Sequence, residues 1–490
     1  MRRLSGMDAV FLAAEGPENY LGHTMAVLVL DPSTMPAGDR VGAIREYVGD
    51  RLHLVPPLQR CLVEVPLGLD APRWIDGVRV HLDRHIQEVQ LPEPVGVRQL
   101  ASFVSDLAER KLDRRYPLWR IYVVDGLVGG RLCIVAKMHH ALMDGGAGMA
   151  FMASLFDLDP EAAVAPAPAP QVRDRRPGDL GMVAGSMTSV FRRSLIGVRA
   201  TGRTLGAATR VARRLVDHRS RHGAPLAVPF SSPHLMFNAP VTTRREVAFT
   251  SLSLETIKGV ARAFEVTVND VVLGVVAGAM RRFLLPLGAL PDKPLIAAVP
   301  VSVRGDRGVE QSNMFSVMLA SLATDQDRPA DRLLAIHRGT LEAKRLQSAV
   351  GSEVLSDWLE VPVPAVFSLA TSLYARLRLS SLHPPLCNLL VSDVPGAAVP
   401  LYFARARLES IFPLGPIFDG MGLNITAVSS ADTLDVGLVA CPDQLPDLWA
   451  LAGELEPALT ELDAVRSGRD RGKDPSGGRR AVRSGAAGAR

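Results

Sequence analysis

The apolar residues of this 490-residue chain fall into two segments, each mixing strand-like and helix-like runs. In the first segment, alternating or continuous apolar runs predict strands over 24–30, 120–124 and 132–138. A 3.6-residue period predicts helices there over 42–52 and 98–111. In the second segment, strands are expected over 247–254, 295–301, 314–323, 388–391 and 434–440, with helices over 254–265 and 269–285. An Ala/Pro tract at 162–170 cannot hold a helix and reads as an extended spacer. From Arg466 onward the chain is rich in Gly, Ser and Arg without apolar periodicity, which predicts a disordered basic tail. The expected division is a first domain over 1–160, a linker over 161–240, a second domain over 241–465 and the tail over 466–490.

The linker carries a basic helix candidate over 188–216. At about 100° per residue, Phe191, Leu195, Val198, Gly202, Leu205, Thr209 and Val216 share roughly one-quarter of the wheel. Arg192, Arg199, Arg203, Arg210 and Arg214 gather about 80–140° from Phe191, while Arg193 and Arg213 break the segregation. Such a helix can pack between domains with a solvated Arg face, or lie on an anionic lipid surface. A nucleic-acid role is discounted, because no motif or aromatic interleaving accompanies the Arg face.

Composition narrows the class. Hydrophobic content is 47% and the net charge is only +4. No run reaches the roughly 18 uncharged apolar residues of a spanning helix; the nearest, 361–375, contains Pro362 and Pro364. Arg2 and Arg3 precede an apolar run too short for a signal peptide, and Glu15 ends it. The four cysteines, Cys61, Cys133, Cys387 and Cys441, are widely spaced and form no CxxC pair, so free thiols in a reducing compartment are expected. The expectation is a cytoplasmic protein without a membrane span, peripherally associated with a membrane or lipid droplet; a homo-oligomer is left open.

The chemistry concentrates in His139-His140-Ala141-Leu142-Met143-Asp144-Gly145, a complete HHxxxDG motif. It follows the apolar run 132–136, which reads as a buried strand, and precedes Gly145, Gly146 and Gly148. Neighbouring strand residues point to opposite faces, so only one of His139 and His140 should reach a substrate while the other is structural. A metal site is a poor reading, since there is no HExxH and no Cys/His cluster. An imidazole near its unperturbed pKa can take a proton from a hydroxyl attacking a carbonyl at neutral pH.

The motif resembles that of the CoA-dependent acyltransferase superfamily, which includes chloramphenicol acetyltransferase and peptide-synthetase condensation domains. Further segments narrow the resemblance to the bacterial wax ester synthase/diacylglycerol acyltransferase family. These are Leu4-Ser5-x-x-Asp8-x-x-Phe11-Leu12, Pro117-Leu118-Trp119, Asn269-Asp270, Pro300-Val301-Ser302-Val303-Arg304 and Asn313-Met314-Phe315-Ser316. Val391-Ser392-Asp393-Val394-Pro395-Gly396 and Gly422-Leu423-Asn424 follow in the same order, so the resemblance covers about residues 1–465. Two positions depart from it. Asp393 stands where the family usually has Asn, and Ser312 stands where its Gly-Asn-x-x-Ser pattern has Gly.

The resemblance implies an α/β (α+β) fold: two chloramphenicol-acetyltransferase-like domains with mixed sheets meeting at a central tunnel. It implies transfer of a long-chain acyl group from acyl-CoA, a co-substrate and not a bound cofactor, to diacylglycerol or a fatty alcohol. No covalent acyl-enzyme is needed, because proximity replaces a second chemical step. His140 is the candidate general base. Asp144 is expected to pair with Arg304 across the segments, a buried pair costing about 3–5 kcal/mol to half-remove. Gly145 is expected to let the chain turn tightly beside the site. Asn269, Asp270, Asn313 and Ser316 either shape the site or cap helices and strand ends, and Pro117-Leu118-Trp119 reads as packing. The rivals are a non-catalytic lipid-binding protein that keeps the scaffold and an acyltransferase for a specialised polyketide or glycolipid alcohol.

Overall fold

A computed structural model describes residues 2–4, 6–15, 22–142, 154–162, 178, 181–182, 227–302, 315–350 and 364–473. Two six-stranded mixed sheets dominate it. The first runs, edge to edge, Tyr402–Phe403, Ala406–Leu414, His23–Asp31, Arg131–His139, Trp119–Leu127 and Ile86–Val89. Its pairings are antiparallel except for Ile86–Val89, which lies parallel to Trp119–Leu127. The second runs Phe315–Ser321, Ile296–Ser302, Leu389–Val394, Leu423–Ser430, Thr433–Ala440 and Glu246–Ser253. There, Leu389–Val394 is parallel to both neighbours and the remaining pairs are antiparallel. A three-stranded sheet (Arg2–Arg3, Arg73–Ile75, Cys61–Val63) flanks the first.

The strand Arg131–His139 shows why the apolar runs lack alternation: it is buried on both faces. Leu132, Ile134, Ala136 and Met138 enter one core with Ile44 and Val48 of the helix Arg40–Arg51. Cys133 and Val135 enter another with Leu100, Val104 and Leu107 of the helix Val97–Ala108. That second core also holds Val247, Phe249 and Val439 of the other sheet, so this helix lies at the seam between the halves. The largest core belongs to the second half. There the helices Leu254–Phe264, Val268–Leu284 and Leu455–Lys473 cover one face of its sheet. Gly278 allows the close approach of the last two: a Cβ there would lie 2.9 Å from the Ala458 Cβ.

The sheets do not divide at the linker. Ala406–Leu414, from the second segment, joins the first sheet beside His23–Asp31, with Ile411 opposite Leu28. Asp435, fully buried in the second sheet, holds that strand by accepting the Ile411 N–H at 2.9 Å and the Ser251 hydroxyl at 2.7 Å. The last helix, Leu455–Lys473, runs past the expected boundary at 466. Its buried residues end at Leu462; beyond them Val465 packs only partly on the core and Arg466 donates to Asp463 at 2.7 Å, too little apolar surface to show as a period. The basic segment 188–216 and the Ala/Pro tract lie outside the described residues. All four cysteines are free. Among the described residues no single helix is long and apolar enough to cross a membrane.

Candidate active site

The two motif histidines part where the strand ends. His139 is the last residue of Arg131–His139 and pairs in register with His23. His140 opens the 3₁₀ turn His140–Leu142. The backbone at both is fixed. The His139 N–H donates to the Leu118 carbonyl at 2.9 Å, and the His140 N–H donates to the Gly22 carbonyl at 2.7 Å. The His139 ring is 1% exposed, and its Nδ1 accepts the Ala141 N–H at 3.1 Å. The His140 ring is half-buried and stacks on Phe11, with centroids 4.2 Å apart. One histidine is thus enclosed while the other is only part-buried.

Behind His139 lies a buried polar cluster. Its parity along the strand matches Lys137, whose ammonium donates to the Leu107 and Arg110 carbonyls at the end of the seam helix. A cation is favoured at that helix end by the dipole, yet burial pulls the Lys137 pKa down to about 7. Glu15 projects from beyond the helix Gly6–Ala14 and its side chain is 3% exposed. One oxygen accepts from Arg114 at 2.8 Å and lies 3.8 Å from His139 Nε2; the other lies 3.5 Å from His23 Nε2. Burial holds the His139 pKa well below the ordinary value, helped by Arg114, His140 and Lys137. Burial, with Lys137, His139, Lys111 and Arg114, does the same for His23. Burial therefore favours the neutral form of both rings. Gly22 makes the arrangement feasible, because a Cβ there would meet His139 Nε2 at 2.8 Å.

The other expected residues divide. Asp144, Gly145, Arg304 and Asn313 lie outside the described residues, so the Asp144–Arg304 pair does too. Ser316 sits opposite Val301 in the second sheet. Asn269 is half-buried in the first turn of Val268–Leu284. Asp270 is a capping residue: with Thr267 it closes a capping box, and it also binds His337 at 2.8 Å and Thr340 at 2.7 Å. Trp119 packs on His85 and donates to the Leu58 carbonyl at 2.9 Å. Asp393 lies on Leu389–Val394 opposite Ala427. The next residue, Val394, packs into the core that holds Ala141 and Leu142, whereas Asp393 shares the parity of Leu389 and Val391, which enter the large core of the second half. Burial raises the Asp393 pKa to about 6.

Sequence reasoning missed Glu15, Gly22, His23, Arg114 and Lys137. Lys137 had a visible signal, a lone charge inside a buried apolar run. The others had none, since Glu15 and Arg114 come together across 99 positions.

Comparison with known proteins places this geometry in context. The family profile described as the wax ester synthase/diacylglycerol acyltransferase catalytic domain matches residues 4–272, and its C-terminal domain profile matches 311–463. A putative diacylglycerol O-acyltransferase of Mycobacterium tuberculosis is 38% identical over 94% of this chain and 90% of its own length. A probable diacylglycerol O-acyltransferase of the same species is 34% identical over 93% and 97%. Among solved structures, the wax ester synthase/diacylglycerol acyltransferase from Marinobacter aquaeolei superposes with a TM-score of 0.67 at 28% identity, covering 95% of this chain and all of that one. The starter condensation domain of rhizomide synthetase, at 15% identity and a TM-score of 0.55 over 95% and 94%, shares the fold.

Proposed function

Because the chain belongs to the wax ester synthase/diacylglycerol acyltransferase family, we propose that His140 is the general base of an acyl-CoA-dependent O-acyltransferase acting on diacylglycerol or a fatty alcohol. The observation that carries the assignment is the parting of the two histidines. His139 is enclosed, whereas His140 is half-buried, fixed by a 2.7 Å backbone bond and backed by Phe11. Its ring takes the proton from the acceptor hydroxyl as that oxygen attacks the thioester carbonyl, and CoA leaves as the thiol. Acyl-CoA and alcohol held together at the seam need no covalent acyl-enzyme. Purified protein given palmitoyl-CoA with diacylglycerol, hexadecanol or neither should release CoA only when an alcohol is present. His140→Ala should cut that release by about 10²–10⁴-fold. CoA release from His140→Ala at the wild-type rate would remove the assignment.

Such substrates reside in lipid, and peripheral attachment to a lipid surface belongs to the same reading. Two features support it. The basic segment 188–216 has a sequence period that would set five arginines on one face of a helix. Val366, Leu369, Leu373 and Leu377, three to four residues apart along and just beyond the helix Pro364–Arg376, are exposed beside Arg378. That helix packs on Gly6–Ala14, which carries Phe11. Liposome flotation with and without anionic lipid should show salt-sensitive binding. It should weaken when Arg192, Arg199, Arg203, Arg210 and Arg214 become Gln, and equal flotation of both proteins would discard the attachment by that segment.

A further inference from the structure

We infer that Glu15 is a positioning residue for the proton transfer, acting on His140 through the ring of His139; the inference rests on His140 being the base. His139 Nδ1 accepts the Ala141 N–H at 3.1 Å, and a ring nitrogen that accepts carries no proton. The ring is neutral, so its proton sits on Nε2. Nε2 is buried, makes no hydrogen bond among the described residues and looks at Glu15 Oε2, 3.8 Å away. That separation is too long for a hydrogen bond, but buried groups feel each other strongly at this range.

The carboxylate is itself held in place. Arg114 donates to it at 2.8 Å and to the Leu12 carbonyl at 2.7 Å, one turn back along the same helix. Among the described residues, the charged and titratable groups that face Glu15 are Arg114, His23, His139 and Lys137. Glu15 therefore favours the His139 tautomer with its proton on Nε2. The other tautomer would set an N–H against the Ala141 N–H and open the turn that presents His140. Gly22 serves the same arrangement twice, leaving space for Nε2 and receiving the His140 N–H. The chain of control runs from Glu15 to His139, to the Ala141 amide and to the His140 ring.

Three substitutions test this in the full-length protein. Glu15→Leu should lower kcat on the order of 10²-fold, as a misplaced base does, with KM for palmitoyl-CoA unchanged. Glu15→Gln should restore most of kcat, because its amide oxygen can still face Nε2–H. Combining Glu15→Leu with His139→Ala should cost no more than His139→Ala alone. If the leucine variant melts below the assay temperature, Glu15→Asp keeps the charge near Arg114 but withdraws it from His139, and it should lower kcat as well. Wild-type kcat in the folded Leu or Asp variant, equal losses in Leu and Gln, or additive losses in the double variant overturn the inference. A readout independent of turnover separates it from the base assignment. In protein labelled with ¹⁵N-histidine, His139 should show a protonated Nε2 whose resonance moves in Glu15→Leu, or Glu15→Asp, but little in Glu15→Gln. An unmoved resonance in the variant that folds overturns the role of Glu15 even if His140 proves not to be the base.

Discussion

Each half of the molecule sets a histidine beside a buried carboxylate, and the two pairs are built differently. In the second half, Asp270 is saturated. Thr267, His337 and Thr340 all bond to it, and although burial raises its pKa, those bonds win and leave it lowered. In the first half, Glu15 and His139 face each other at 3.8 Å, with Glu15 Oε1 and His139 Nε2 making no hydrogen bond among the described residues. A saturated network specifies a fold, whereas buried polar atoms without partners are costly and persist where chemistry needs them. At these two pairs the difference lies in polar satisfaction and not in residue type.

The sharpest test of that contrast exchanges the expected losses. Asp270→Ala should destabilise by about 1–3 kcal/mol, since the buried Thr340 hydroxyl loses its carboxylate acceptor, while the folded fraction keeps its turnover. His140→Ala should do the reverse, losing activity with an unchanged melting temperature. Asp270→Ala that melts normally but fails to turn over would erase the distinction. A smaller loss of turnover is expected from Gly22→Ala, whose new Cβ meets His139 Nε2 at 2.8 Å. Overpacking there should cost about 1–3 kcal/mol and lower kcat by moving the His140 turn; an unaffected kcat would mean that the ring yields without consequence.

Two titrations give the smallest effects. Lys137 has a folded pKa of about 7 against 10.5 for an ordinary lysine, so the unfolded chain binds more protons between those values. Stability should rise with pH across that window, and Lys137→Met should flatten the rise seen between pH 7 and 9. Identical slopes would show that Lys137 keeps its charge when folded. Asp393 runs the other way. Burial lifts it to about 6, so the folded state holds the extra proton from about pH 3.8 to 6, and stability falls as pH rises through that window. Among the described residues it makes no hydrogen bond or ion pair. Asp393→Asn should therefore melt higher than wild type at pH 7 and equally at pH 4. A higher melting point for wild type at pH 7 would show that the carboxylate has a partner.

The sequence alone determined most core elements, because each buries a face and burial imposes its period. The strands His23–Asp31, Trp119–Leu127, Arg131–His139, Glu246–Ser253 and Thr433–Ala440 fall within a few residues of expectation. So do the helices Leu254–Phe264 and Val268–Leu284. Ala406–Leu414 was not legible. It is an inserted strand whose partners, His23–Asp31 and Asp435, lie in different halves, and no local pattern encodes a partner. The HHxxxDG motif pointed to the reaction and strand alternation required that its histidines separate. Which ring is enclosed was settled by residues far away: Gly22 leaves the space, Leu118 holds the strand and Glu15 faces the ring. Periodicity reports which face of an element is buried. It is silent on which distant side chains meet there, and that meeting fixes the orientation of the candidate base.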